Sequence, residues 1–229
     1  GEGADRDWEF HLVADSDDTC WLVYPRQPSA NPGTLGRSQE RDSFRASLLP
    51  PKNEFGTISE QEWRNVLKFL DLLAKHCNEV ILIKGNHDMI LGPIARKRNV
   101  KVVDYYFIDS KHDKKNKPNN KILVTHGDKI PGKDVLQQAS TIIIGHEHPA
   151  VSLKDSARIE TFKCFLKGKY KGKNLIVLPS FNAVVGGTNI MRDKTLSPFL
   201  RQNLDDFEVF AVEDKVYDFG KLGKLRNRV

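Results

Sequence analysis

The chain has 229 residues, 39% of them apolar and 29% charged, with a formal charge of +6 and a pI near 9.1. These values describe a globular protein with one sizeable core, and no apolar run approaches the ~20 residues that a membrane-spanning helix needs. Cys20, Cys77 and Cys164 are widely spaced and odd in number, so no disulfide framework or CxxC metal knuckle is indicated. Reduced thiols and a cytoplasmic location are expected. The first residues carry no signal-peptide pattern, and the basic balance favours anionic partners without naming one.

In chain order, Leu12-Val13-Ala14 reads as a first strand ending at Asp15. Residues 1 to 51 contain five Arg but no Lys or Ile, whereas the remainder holds 23 Lys and eight Arg. Pro25 to Pro51 is rich in Pro, Ser, Arg and Gly without periodicity and reads as a disordered loop. Ser59 and Glu62 form a capping box, and Trp63, Val66, Leu67, Leu70 and Ala74 fall at helical spacing, which predicts a helix to about His76. Glu79 to Lys84 follows as a buried strand, and Met89 to Arg98 as a second βα step. Strands are then expected at Lys101 to Ile108, Lys121 to Thr125 and Thr141 to Gly145, with a short helix near Val135. Beyond His148 the pattern is mainly β, with runs at Thr161 to Leu166, Asn174 to Pro179, Phe207 to Val212 and Lys215 to Phe219. Alternating α and β elements followed by hairpins predict an α/β fold of layered sheets with helices outside. One domain, 1–229, is expected, with 16–51 as an atypical segment.

Three histidine-bearing motifs each follow an apolar strand, Val80 to Ile83, Ile122 to Val124 and Ile142 to Ile144, where the loops of open α/β sheets build binding sites. In Gly85-Asn86-His87-Asp88 the glycine permits a sharp exit, Asn86 offers a neutral oxygen ligand and His87 a proton donor; a plain βα turn has the same look. Thr125-His126-Gly127-Asp128 places an imidazole at the next strand end, with Gly127 allowing close approach to a ligand. In Gly145-His146-Glu147-His148-Pro149, histidines at i and i+2 on an extended segment can address two adjacent ions. Imidazole suits Zn, Fe, Ni or Mn, and the amide oxygen of Asn86 keeps Mn in play. His11, His76 and His112 read as structural or exposed.

GNHD, THGD and GHEH in this order resemble the calcineurin-like metallophosphoesterase superfamily, whose pattern is D-x-H, GD-x-x-H/N, GNH-D/E, a lone His and GH-x-H. The tail from Lys163 to Gly187 is similar to the archaeal subgroup related to the nuclease subunit of double-strand-break repair, and the resemblance spans roughly Lys52 to Leu225. It implies an αββα sandwich. It also implies that Asn86, His126 and His146 hold one ion, that His148 binds the other and that His87 assists catalysis. Two divalent ions about 4 Å apart in such sites polarise a phosphomonoester or phosphodiester and generate the attacking hydroxide.

The departures lie upstream. Lys52-Asn53-Glu54-Phe55-Gly56 looks like the end of the second motif, but Leu49-Pro50 stands where Gly-Asp is expected, so the bridging carboxylate is missing. Asp15 matches the first motif and is the remaining candidate ligand, but Asp17 occupies the place of its histidine. Either half of a metal site was lost, or residues 16 to 51 come from a shifted reading frame, which the composition favours. Asp18-Thr19-Cys20-Trp21 is what a two-letter deletion in a codon string for Asp-Thr-His-Val-Gly would give, and resequencing to an uninterrupted frame would refute that. The alternative function is a non-catalytic nucleic-acid-binding or interaction module, motivated by the basic stretches Lys111 to Lys121 and Lys163 to Lys173, with Tyr170 the candidate there for base stacking.

Overall fold

A computed structural model of the chain describes residues 9–14, 60–75, 79–85, 97–98, 100–109, 121–155, 158–180 and 186–226. Strands β1 (Glu9–Ala14), β2 (Glu79–Lys84) and β3 (Lys101–Val103) form a parallel sheet in the order β1-β2-β3. The uninterrupted apolar run of β2 fits a strand covered on both faces: Ile81 and Ile83 turn one way, Val80 and Leu82 the other, and all four are buried. Helix α1 (Glu60–Ala74) packs against β2 and buries Phe69, Leu70 and Leu73; of the expected stripe Leu70 is buried, Val66 and Leu67 are half-buried and Ala74 is exposed, so the buried face is turned toward Phe69 and Leu73. Ser59, its expected N-cap, lies outside the described residues, as do 16–51 and most of the Met89 to Arg98 step.

Among the described residues the second sheet has nine strands: β4 (Tyr105–Asp109), β5 (Lys121–Thr125), β6 (Ala139–Ile144), β7 (Pro149–Asp155), β8 (Arg158–Tyr170), β9 (Lys173–Val177), β10 (Thr188–Asn189), β11 (Glu208–Val212) and β12 (Val216–Lys221). They run β10-β7-β8-β9-β6-β5-β4, with β11 paired to β8 and β12 to β11. At its centre β5, β6 and β9 are mutually parallel, so their C-terminal ends share one edge. Ile81 and Ile83 of the small sheet meet Val124, Ile143 and Leu178 of the large one in an inter-sheet core. The opposite face of the large sheet buries Ile142, Ile144, Leu166, Leu175 and Val177 under α2 (Lys133–Gln137), a 3₁₀ turn (Pro198–Leu200) and α3 (Leu222–Arg226). The layers are thus α, β, β, α, as expected.

Two strand expectations need correction. Lys101 to Ile108 is two strands broken at Asp104, because β3 pairs with β2 while β4 runs antiparallel to β5 in the other sheet. The break switches parity: Val103, Tyr106 and Ile108 all reach the inter-sheet core, which an unbroken strand forbids. Strand β8 is longer than Thr161 to Leu166, because β7, β11 and β9 pair with it in succession. Its hairpin to β9 turns on Lys171 (φ 48°) and Gly172 (φ 80°), a two-residue loop with both centres left-handed. Tyr170 at this turn is buried and packs edge-on against Phe199 at 4.8 Å, so its ring is not presented for base stacking. No helix among the described residues is long and apolar enough to cross a membrane.

Candidate metal centre

His126 directly follows β5, and Gly145-His146-Glu147-His148 fills the gap between β6 and β7. Because β5 and β6 are parallel neighbours, both loops leave the sheet at the same edge. The Gly145 amide donates to the His126 carbonyl (2.9 Å) and the Leu178 amide to the Ile144 carbonyl (2.9 Å), which ties the β5, β6 and β9 exits together. Gly85, at the exit of β2 in the facing sheet, is buried.

His146 Nδ1 lies 3.0 Å from His126 Nε2, with ring centroids 4.8 Å apart and planes at 69°. His126 and His148 are buried and His146 is half-buried. A 3.0 Å nitrogen pair can share one proton. It is also the separation of two neighbouring ligands on one ion, since metal–nitrogen bonds of about 2.1 Å at a right angle put the nitrogens about 3 Å apart. The donor chemistry and the spacing therefore both fit a divalent ion.

The loop is not the extended segment expected from the i, i+2 spacing. His146 (φ 50°) and His148 (φ 48°) are both left-handed, and the Glu147 amide donates to the Gly145 carbonyl at 2.5 Å, closing a tight turn about His146. Left-handed backbone costs a non-glycine residue about 1–2 kcal/mol, strain of the kind that clusters at functional sites. Gly127 (φ 107°) backs onto β6, where a Cβ would lie 2.9 Å from Ile144 Cβ. Gly187 (φ 82°) presses on the His148 carbonyl, which accepts the Thr188 amide at 2.9 Å; a Cβ at Gly187 would collide with that oxygen.

Sequence reasoning passed over Glu147, which is completely buried. Its Oε2 accepts the amides of Leu196 (2.8 Å) and Ser197 (2.7 Å), and Ser197 Oγ donates to the Gly127 carbonyl (2.7 Å). Burial pushes this carboxyl above its usual value, while the Ser197 and Leu196 amides and the field of His146 draw it back. The available signal was a carboxylate between two candidate ligands in a strand-end loop.

Of the expected site residues, His126 and His146 come together and His148 sits in the same loop, whereas Asn86, His87 and Asp15 lie outside the described residues. Among the described residues no group of three or more His, Cys, Asp or Glu side chains is arranged to hold an ion.

No protein-family model matches the sequence, and no curated protein matches it significantly. Among solved structures, the chain is similar to Pseudomonas putida nuclease MPE, at 20% identity and TM-score 0.44 over 68% of this chain and 61% of that one. It is also similar to wild-type Vps29 of Entamoeba histolytica complexed with zinc, at 14% identity and TM-score 0.30 over 92% and 91% of the two chains. A predicted phosphoesterase of Streptococcus pneumoniae matches at 12% identity and TM-score 0.28 over 68% of this chain and 89% of that one. These neighbours are metallophosphoesterase-fold proteins at low identity, and with these TM-scores below 0.5 the α/β assignment stands on the strand pairing and packing above.

Proposed function

We propose that the chain is a metal-dependent phosphoesterase, a hydrolase of the calcineurin-like kind and of the archaeal type that its motifs resemble. The observation that carries this reading is the 3.0 Å approach of His126 Nε2 and His146 Nδ1 at adjoining parallel strand ends. These two rings would hold one divalent ion together with Asn86, and His148 with Asp15 would serve a second; Mn, Zn, Fe or Ni suits the donors. Ions bound there supply charge neutralisation on a phosphoryl group and a water acidified toward neutral pH. The chain's own residues do the rest. His126 and His146 must be neutral to bind, so uptake of an ion releases protons at low pH. His87 is assigned to the leaving oxygen, as proton donor or charge stabiliser. The substrate is a phosphomonoester or phosphodiester, nucleic acid included, and the compartment is the cytoplasm.

Metal-free protein titrated calorimetrically with Mn²⁺ or Zn²⁺ is expected to bind at least one ion per chain, with the tighter site abolished by His126→Ala or His146→Ala. An aryl phosphodiester and an aryl phosphomonoester test the chemistry. Absence of both ion binding and hydrolysis refutes the reading for this chain.

The competing reading, a non-catalytic nucleic-acid or interaction module, rests on the basic stretch Lys111 to Lys121, which apart from Lys121 lies outside the described residues, and on the basic β8–β9 hairpin. Its lysines have local occupations: Lys167 pairs with Glu208 (2.8 Å), Lys169 with the Asn174 side chain (2.5 Å) and Lys173 with the Ala139 carbonyl (2.5 Å). Salt-dependent DNA binding that survives His87→Ala and His146→Ala would favour the module over a nuclease.

A further inference from the structure

We infer that Glu147 is a positioning residue for the metal site, bracing both histidine loops against the Leu196–Ser197 segment; this rests on the metal-dependent reading above. One carboxylate joins three stretches of chain. Through its own backbone it fixes the turn that carries His146 and His148. Through Oε2 it takes the Leu196 and Ser197 amides, and through the Ser197 hydroxyl it reaches the Gly127 carbonyl, next to His126. The Ser197 hydroxyl also accepts the Phe199 amide (3.4 Å), anchoring the brace to a fully buried phenylalanine.

Core filling does not account for this choice. A fully buried carboxylate is costly, and an apolar side chain here would strand the Leu196 and Ser197 amides, while Oε1 is buried with no hydrogen-bond partner among the described residues. Its position is what distinguishes it. It lies between two histidines whose left-handed backbone is released if the turn relaxes, and His126 and His146 must stay about 3 Å apart to share an ion. Groups that orient ligands without touching the metal typically change affinity 10–100-fold when removed.

The test uses the whole metal-free chain as wild type, Glu147→Ala, Glu147→Gln and Ser197→Ala, each below its own unfolding temperature. Mn²⁺ affinity is measured by calorimetry, and the Co²⁺ visible absorption spectrum reports ligand geometry. Glu147→Ala is expected to weaken the tighter Mn²⁺ site about 10–100-fold and to alter the Co²⁺ bands. Glu147→Gln, whose amide oxygen can accept the same two amides, should restore affinity to within about threefold of wild type, and Ser197→Ala should fall between. Folded Glu147→Ala with wild-type affinity and spectrum overturns the inference, as does Glu147→Gln no better than Glu147→Ala. If Glu147→Ala does not fold, Ser197→Ala with unchanged affinity overturns it. Wild-type protein that binds no ion overturns the phosphoesterase reading, and this one with it.

Discussion

Replacing Gly187 with alanine tests how the His148 end of the loop is held. Gly187 has φ 82°, and a Cβ there would run into the His148 carbonyl, which the Thr188 amide holds at 2.9 Å. Left-handed backbone costs alanine about 1–2 kcal/mol. Displacing the carbonyl forfeits a hydrogen bond worth about 1 kcal/mol. The sum, about 2–3 kcal/mol, corresponds for a chain of this size to a melting point lower by about 4–12 °C. Neighbouring Gly186 is the control: it is not left-handed, and among the described residues nothing lies within 4 Å of where a Cβ on it would stand. Gly186→Ala should therefore change stability by less than about 1 kcal/mol. Thermal unfolding of the metal-free proteins reads the energies, and Mn²⁺ titration reads the site. Gly187→Ala should lose the weaker ion, assigned to His148, and keep the tighter one at His126 and His146. Equal melting of Gly187→Ala and wild type, or equal damage from Gly186→Ala, would refute the reasoning.

Phe199→Ala removes a fully buried ring that packs on Tyr170 at 4.8 Å, and should cost about 3–5 kcal/mol in urea unfolding; a loss below about 1 kcal/mol would contradict the packing. Cys164 is buried, and burial pushes its thiol from 9.0 to about 12. In a Cys20→Ser/Cys77→Ser background the thiolate fraction at pH 8 is then about one part in 10⁴, so the native protein should resist a disulfide reagent until unfolded. Because the folded value is the raised one, its contribution to stability is complete below pH 9 and declines as the pH climbs toward 12. Rapid native labelling at pH 8 would count against that burial.

The motifs were legible because three apolar runs end in Gly or His, and those runs are the ends of β2, β5 and β6. Which sheet each strand joins was not legible. Periodicity gives the face of a strand and not its partner, so the switch at Asp104 was hidden inside one continuous-looking run. The left-handed histidines were hidden too, since a positive φ is advertised by glycine and not by an imidazole. Glu147 escaped because its partners lie 49 and 50 residues away, and a carboxylate beside two histidines reads as a solvated residue until those amides are in view.

The strain in the GHEH loop and its anchors together bear on how much of the metal site this chain retains. His146 and His148 are each held against a cost of about 1–2 kcal/mol. Among the described residues, the contacts that hold them include the His126 carbonyl on the Gly145 amide, the Thr188 amide on the His148 carbonyl, and the Leu196 and Ser197 amides on Glu147. Every one of these contacts comes from residue 126 or beyond, on the large sheet or the segments packed against it. Residues 16–51, where Leu49-Pro50 and Asp17 depart from the expected motifs, lie outside the described residues. Among the described residues, the His126–His146 pair is held at 3.0 Å by loops that are anchored on the large sheet. On the proposed reading a second ion would lean on Asp15 and on a bridging carboxylate that the sequence does not supply. On the proposed reading, an ion at His126 and His146 would draw its anchoring from the C-terminal side of the chain, and a Mn²⁺ titration that shows one tight site per chain is the expected outcome.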